Sequence, residues 1–409
     1  MKRVVHVSFS DESGGAAIAA YRLHTAMIQY GIDSHMVVFD ANRTDDNVKP
    51  IYNSKFESFY YKIKSYIIAD RGFVKTEKNG FFSKYNIGSN IKNNKIIMNS
   101  DVVFIHWICR GMMNINNIKF LLEKGKQVFW VMHDMYPFTG GCHHSYGCTN
   151  YEHSCKNCPC DQINVSIPSR NLKKKIILKK YDNMHWIAPS NWLYECARNA
   201  SVINSANLYR LPNIISENFF KLDKSFSRKV LGLSMNKKYI LYGADGVLTN
   251  PYKGLDLFIE MLNKLKQFSE TLEDSVEVNV FGSGKNDELM QKIPFKINFF
   301  GNVRDEHAMN IIYNSSDVFV STSRVENLPL TIQEASFCGL PVVAFNVGGI
   351  SDLVDSDSKG ALIEGFNTEN MSKNVFEILT KGLHTQTPPD NSVFRNSVIK
   401  EYIKLLEDE

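Results

Sequence analysis

Residues 318–349 read VFVSTSRVENLPLTIQEASFCGLPVVAFNVGG. Val318 to Ser321 and Val342 to Phe345 are short, continuous apolar runs, the pattern of parallel strands buried on both faces. Between them Thr331 to Cys338 reads as a helix. Pro329 suits its first turn, where a missing N–H costs nothing. Gly339 and Pro341 stop it. Strand, helix and strand make one βαβ unit, the building block of a parallel sheet.

Working outward, the same unit recurs. Tyr239 to Tyr242, Val276 to Phe281 and Ile297 to Phe300 read as further strands, with helices over Leu255 to Phe268 and Glu306 to Asn314. A separate series opens the chain: strands at Val4 to Phe9, Ser34 to Phe39, Asp101 to Ile105 and Val128 to Met132, and a helix over Ala16 to Tyr30. The fold class is therefore α/β. Two Rossmann-like domains with parallel sheets are expected to face each other, residues 1–214 and 215–392. An amphipathic helix over 393–409 is taken to pack back on the first domain. A length of 409 residues is ample for two cores.

Ligands of such sheets bind beyond the carboxyl ends of the strands. Polar residues and glycines collect there. The first strand runs into Ser10 to Gly15, DVVFI into His106, and VFWVM into His133-Asp134. Phe300 runs into Gly301-Asn-Val-Arg, and Ser321 into Thr-Ser-Arg-Val-Glu. Turn chemistry alone would favour Gly and Asn, not His and Glu.

Glu326 lies before the helix of the opening stretch and Glu334 about a turn and a half inside it. At a rise of about 1.5 Å per residue their carboxylates are roughly 10 Å apart. That is too far for a shared proton, and it argues against the acid and nucleophile of a retaining hydrolase, about 5 Å apart. It suits two hydroxyl-bearing parts of one extended ligand. The helix N-terminus between them attracts anions. Lys253-Gly254 precedes another helix, where the ammonium is a point charge for phosphate. Gly14-Gly15 opens the first helix, where bare backbone can approach a diphosphate.

The two-domain layout, Gly14-Gly15, Lys253-Gly254, Gly301-Asn-Val, Glu326 and Glu334 at their spacing, and Gly348-Gly349 together resemble the retaining glycosyltransferases of family 4, with the GT-B fold. His106-Trp107 and the stretch from His133-Asp134 to Cys142 are similar to the branch that builds bacterial surface polysaccharide: O-antigen, capsule or exopolysaccharide. The resemblance implies a nucleotide-sugar donor and a glycan or lipid-linked acceptor. It places Glu326 against the donor sugar, Glu334 on the ribose hydroxyls and Lys253 on the departing diphosphate. Gly14 and Gly15 lie near the same phosphates. Asn302, Val303 and Arg304 meet the base, Asn327 and Leu328 flank the donor, and His133 sits near the sugar and acceptor. It also implies front-face attack, with no cofactor required for catalysis. In one departure, the GADGVLTNPYKG segment holds no arginine ahead of Lys253, where the family usually has one. A sugar-nucleotide epimerase of the same fold and a non-catalytic glycan-binding relative are the competing readings.

CHHSYGCTNYEHSCKNCPC, residues 142–160, makes a cysteine-rich loop. Cys155-x-x-Cys158 has a zinc-ligand spacing, and Cys142 with Cys148 would complete four thiolates of a structural zinc site. Disulfides and free thiols are the alternatives. Asp355-Ser-Asp357 reads as a solvated turn rather than a metal motif.

Composition narrows the partners. The net charge is +4, from 47 basic and 43 acidic residues, which excludes a strongly polybasic nucleic-acid binder. No run of 18 apolar residues appears, and the opening MKRVVHVSFS reads as a strand rather than a signal peptide. A cytoplasmic location at the inner face of the membrane is expected. Phe56 to Phe73 and Arg170 to Lys180 mix lysines with apolar residues, the composition of a peripheral membrane contact.

Overall fold

The computed structural model describes residues 2–52, 54–76, 80–84, 87–159, 166–243, 246–247, 250–269, 272–354, 360–382 and 388–407. The chain divides into two compact units, Met1–Ile214 with Ser397–Glu409, and Ile215–Asn396. The final helix, Asn391–Glu407, is thus shared: its start belongs to the second unit and the rest to the first.

Strands of the first unit are β1 (Val4–Ser10), β2 (Ser34–Asp40), β3 (Val48–Pro50), a hairpin of β4 (Phe73–Thr76) and β5 (Gly80–Ser83), then β6 (Val102–Ile105), β7 (Gln127–Val131), β8 (Met184–Ala188) and β9 (Leu208–Arg210). Seven of them form one parallel sheet in the order β3-β2-β1-β6-β7-β8-β9. Because side chains alternate along a strand, each central strand feeds two faces. Val5, Val7, Val103, Ile105, Val128, Trp130 and Trp186 enter one core. On the other face His6, Phe104, Phe129 and His185 stack in a row, with centroids 5.1, 5.0 and 4.5 Å apart. Tyr402 of the final helix lies 6.1 Å from Phe104 and is buried. That row explains why the last helix joins this unit.

The second unit contains β10 (Lys238–Gly243), β11 (Val276–Phe281), β12 (Lys296–Gly301), β13 (Val318–Ser321), β14 (Val342–Phe345) and β15 (Gly360–Ile363). They form a parallel sheet in the order β12-β11-β10-β13-β14-β15. Ile240, Tyr242, Val278, Val320 and Val343 pack on the helices Leu255–Lys266 and Thr368–Lys381, through Phe258, Met261, Met371 and Val375. Leu241, Phe319, Val342 and Ala344 face the opposite way, against Ile312, Tyr313 and Ile332. Helices cover both faces, which is why residues 239–242, 318–320 and 342–345 read as unbroken apolar runs, while Val276–Phe281 carries the buried polar residues Glu277 and Asn279.

The opening stretch folds as strand, helix and strand, with one shift. The helix is Leu330–Phe337, and Pro329 is its N-cap in extended conformation rather than a residue of its first turn. Asp355 and Asp357 lie outside the described residues.

Candidate functional site

In each sheet the strand order reverses at one point, between β10 and β13 in the second unit and between β1 and β6 in the first. The chain leaves neighbouring strands in opposite directions there, so their carboxyl ends open a crevice. The second-unit crevice is bordered by the segments after Gly243 and after Ser321, which carry Lys253 and Glu326.

Those two side chains meet. Lys253 Nζ lies 2.6 Å from Glu326 Oε1, with 22% and 14% of the side chains exposed. The backbones that carry them are tied together. Thr322 Oγ1 reaches the carbonyl oxygens of Gly254 (2.8 Å) and Lys253 (3.0 Å), and Tyr242 Oη donates to the latter at 3.1 Å. The Arg324 N–H donates to the Tyr252 carbonyl at 2.7 Å. Its guanidinium pairs with both oxygens of Asp256, at 2.8 and 2.5 Å, and this hydrogen bonding holds the Asp256 carboxyl below its ordinary range. Two glycines let the loops approach this closely. A Cβ on Gly254 would stand 2.0 Å from the Thr322 carbonyl oxygen, and one on Gly348 only 1.6 Å from that of Glu326. Both have left-handed backbone, φ 64° and 59°, which costs an L-residue about 1–2 kcal/mol.

Glu334 is buried in the helix Leu330–Phe337 and accepts a hydrogen bond from Tyr313 Oη at 2.9 Å. Asn327 and Leu328 are buried in the loop between the glutamates. Asn302 and Arg304 are exposed, and Val303 packs partly on the core. They follow β12, the edge strand two places from the reversal.

In the first unit Gly14 is the N-cap of the helix Gly15–Gln29. The preceding loop is pinned by Asp11, whose buried carboxylate accepts from the N–H groups of Asn42 and Arg43 at 3.0 Å. Beyond β6 and β7 stand His106 and His133. His106 Nδ1 is 3.0 Å from His133 Nε2, and His106 Nε2 is 3.0 Å from His6 Nδ1 on β1. Burial pushes His6 and His106 well below the ordinary imidazole range and His133 down to about 4. All three rings are therefore neutral at pH 7. Asp134 turns the other way, accepting from Trp107 Nε1 at 3.1 Å and pairing with His143 Nδ1 at 2.6 Å. Burial opposes charge on His143, but Asp134 and the Cys109 sulfur outweigh it and raise the imidazole to about 10.

Cys142, Cys148, Cys155 and Cys158 line one small pocket with Tyr151, Pro159 and Pro168. Cys155 and Asn157 have left-handed backbone, φ 48° and 53°, so the Cys-x-x-Cys segment is tightly coiled. The Lys175 ammonium is buried nearby, donating to the carbonyls of Tyr136 and Thr139. The four thiols are a zinc-type donor set in one place. As they stand, however, no three His, Cys, Asp or Glu side chains among the described residues are grouped to hold an ion. The described cysteines form no disulfide, and Cys160 lies outside the described residues.

Of the two basic segments, that over 170–180 is a packed one: Asn171, Leu172, Lys175 and Leu178 are buried. The helix Lys55–Gly72 differs. Phe56, Phe59, Tyr60, Ile63, Tyr66 and Ile67 are 46–80% exposed, at the three- and four-residue spacing of one helical face. No described helix is long and apolar enough to cross a membrane.

Tyr313, Asp256 and His6 are not singled out by the sequence alone. Only His6 carried a signal, a histidine inside an otherwise apolar strand run, VVHVSF.

Residues 240–381 match the family described as Glycosyl transferases group 1. A stretch of 132 residues is 31% identical to an uncharacterized glycosyltransferase of Haemophilus influenzae, covering 30% of this chain and 35% of that protein. Another of 168 residues is 25% identical to a GDP-mannose-dependent monoacylated alpha-(1-6)-phosphatidylinositol monomannoside mannosyltransferase of Corynebacterium glutamicum, covering 38% of this chain and 42% of that one. The chain thus spans less than half the length of these curated relatives. Among solved structures, Anabaena HepE in complex with UDP and glucose superposes with a TM-score of 0.66 at 14% identity, over all of both chains. WaaG, a glycosyltransferase involved in lipopolysaccharide biosynthesis, gives 0.57 at 14% identity, over 97% of this chain and 93% of that one. The expected fold is borne out: two Rossmann-like parallel-sheet units of the GT-B class. The segment 240–381 is a glycosyltransferase group 1 domain.

Proposed function

We propose that this chain is a retaining glycosyltransferase. It moves a sugar from a nucleoside diphosphate sugar to a glycan or lipid-linked acceptor of bacterial surface polysaccharide. The observation that carries the reading is the Lys253–Glu326 pair, fixed at the strand-order reversal of the group 1 domain by Gly254, Gly348 and Thr322. A partly buried ammonium there is placed to stabilise charge developing on a leaving diphosphate. Glu326 is assigned to the donor sugar and Glu334, oriented by Tyr313, to the ribose. Neighbouring solved structures hold UDP with glucose, which supports a nucleotide-sugar donor.

The test is a screen of nucleotide sugars for release of nucleoside diphosphate, with the anomeric configuration of the product read by NMR. Lys253→Ala should weaken nucleoside diphosphate binding by at least tenfold, the scale of one lost charge-assisted contact of about 1.5–3 kcal/mol. Unchanged affinity would remove Lys253 from its role, and an inverted product would remove retention. Recovery of an isomerised donor, with nothing transferred, would support the epimerase instead.

Two further parts belong to the proposal. The exposed aromatic face of the helix Lys55–Gly72, with Lys62 on the same helix, is assigned to an anionic membrane surface at the cytoplasmic side. Cys142, Cys148, Cys155 and Cys158 are assigned to a structural zinc, for which the buried Cys155 thiol and the three half-buried ones must rotate toward one centre. Metal analysis of the purified protein decides this: one zinc per chain, lost in Cys155→Ser, supports the site, and its absence from protein purified without chelator overturns it.

A further inference from the structure

Three imidazoles, one from each of three adjacent strands or strand ends, are joined ring to ring. His6 lies on β1, His106 follows β6, and His133 lies just past β7. Both links are nitrogen to nitrogen at 3.0 Å. The backbone holds them in register: His6 pairs with Phe104, the His106 N–H donates to the Val7 carbonyl at 2.9 Å, and Trp130 Nε1 donates to the His106 carbonyl at 3.2 Å. His6 and His106 are 0% and 2% exposed.

Such a chain has a direction. A neutral imidazole has one N–H and one lone pair. His106 uses both nitrogens on other histidines, so it must donate one way and accept the other. Only two arrangements exist. If His133 donated from Nε2, His106 would donate on to His6 Nδ1, and His6 would carry its own proton on Nε2. That atom is buried and has no partner among the described residues. An orphaned buried N–H is rarer than an under-satisfied acceptor. In the other arrangement His6 Nδ1–H donates to His106 Nε2, and His106 Nδ1–H donates to His133 Nε2. The orphan is then only a lone pair.

We infer that His6 and His106 are positioning residues that lock the tautomer of His133, so that His133 carries its proton on Nδ1 and its Nε2 lone pair is already used. In this tautomer His133 Nε2 cannot take a proton from a ligand. His24, with its ring 5.6 Å from His6 and its Nδ1 2.8 Å from Ser34 Oγ, backs the relay from the helix Gly15–Gln29. The tautomer assignment stands by itself. Its catalytic consequence rests on the proposed transferase activity.

The full-length chain, labelled with ¹⁵N-histidine, tests it by long-range ¹H–¹⁵N correlation at pH 7, with His106 and His133 signals assigned from single Asn variants. The expected result is protonated Nδ1 and lone-pair Nε2 in both rings. A protonated Nε2 in His133 overturns the inference. Two variants test the link: His6→Asn, whose amide N–H can replace Nδ1–H, and His6→Leu, which cannot donate. His6→Leu should randomise the His133 tautomer and lower kcat/KM about tenfold, the worth of one neutral hydrogen bond of about 1 kcal/mol or slightly more. His6→Asn should stay within about threefold of wild type. Equal losses in the two variants, or an unchanged His133 spectrum in His6→Leu, would refute the positioning role. Should neither variant fold, the wild-type spectrum alone decides the tautomer. Failure of the transferase reading would appear separately, as wild-type protein without turnover and with the spectrum unaltered.

Discussion

Gly348→Ala is the sharpest probe of how the site is built. A Cβ there would stand 1.6 Å from the Glu326 carbonyl oxygen, whereas a relaxed contact needs about 3.5 Å. Backbone must therefore move by about 2 Å, and the backbone in question is that of Glu326 itself. On the proposed function Glu326 faces the donor sugar, and misplacing such a group by about 1 Å can cost about 100-fold, so kcat/KM should fall at least that far. The left-handed conformation adds about 1–2 kcal/mol of instability whatever the surroundings. That second effect can be subtracted. Gly232 has a similar φ of 67°, but its added Cβ would meet nothing within 4 Å. Gly232→Ala should lose the same 1–2 kcal/mol or so of stability and keep its activity. The assays are nucleoside diphosphate release, with whichever sugar donor supports turnover, and thermal unfolding of both variants. If Gly348→Ala keeps kcat/KM within about threefold of Gly232→Ala, the close approach to Glu326 has no catalytic meaning and the reasoning fails.

Other consequences are equally direct. Tyr313→Phe removes the hydroxyl that orients Glu334; on the proposed assignment of Glu334 to the ribose, nucleoside diphosphate affinity, by titration calorimetry, should fall about tenfold with turnover at saturation little changed, since a hydrogen bond to a charged group is worth about 1.5–3 kcal/mol. Acid should weaken the first unit. Burial lowers His24 from 6.5 to about 4 in the folded chain, so the unfolded chain binds the proton first; stability is full above pH 6.5 and drops as pH falls toward 4, by up to about 1.4 kcal/mol per pH unit for that ring. Urea unfolding at pH 7 and pH 5 measures this, and a flat profile contradicts it. On the proposed membrane contact, wild-type protein should co-sediment with vesicles containing anionic lipid and Phe59→Glu with Tyr66→Glu should not, with thermal stability intact because both side chains are already exposed.

The parts that were legible in the sequence are those with strong periodicity. Strands buried on both faces, such as Val318–Ser321 and Val342–Phe345, announce themselves as apolar runs. The edge elements do not. β3 is three residues ending in Pro50, and β9 is three residues of which only Leu208 is buried. Nothing in their composition distinguishes them from loop, since their pairing is decided by the neighbouring strand. At the site, Glu326, Lys253 and the glycine pairs stood out because helix starts and turns demand particular residues. Tyr313 did not, since an aromatic inside an amphipathic helix reads as core, which it also is. The shift at Pro329 follows from the same logic. A proline's fixed φ is compatible with both the N-cap and the first turn, and only ψ, here 122°, separates them. The cysteine loop shows the limit from the other side: spacing brought four thiols to one pocket, yet spacing says nothing of side-chain rotamers.

The ion pair at the site also makes a prediction that runs against intuition. Lys253 is paired with Glu326, and Arg324 is held bidentately by Asp256. Each cation on the two crevice loops thus already has a carboxylate, and no arginine precedes Lys253 in the segment from Gly243. On the proposed function, a donor diphosphate must take the Lys253 ammonium away from Glu326. Donor arrival would then free the carboxylate to meet the sugar, so that one exchange both neutralises the phosphates and arms the residue facing the reaction. Glu326→Gln removes the competitor for Lys253 while preserving shape. Nucleoside diphosphate should bind about tenfold more tightly, the equivalent of about 1.4 kcal/mol from a pair that no longer has to be broken. Turnover should nevertheless fall, because the group facing the sugar has lost its charge. Tighter binding with slower transfer is the signature of the exchange. Weaker binding in Glu326→Gln would mean that the glutamate orients Lys253 for the phosphates rather than competing with them.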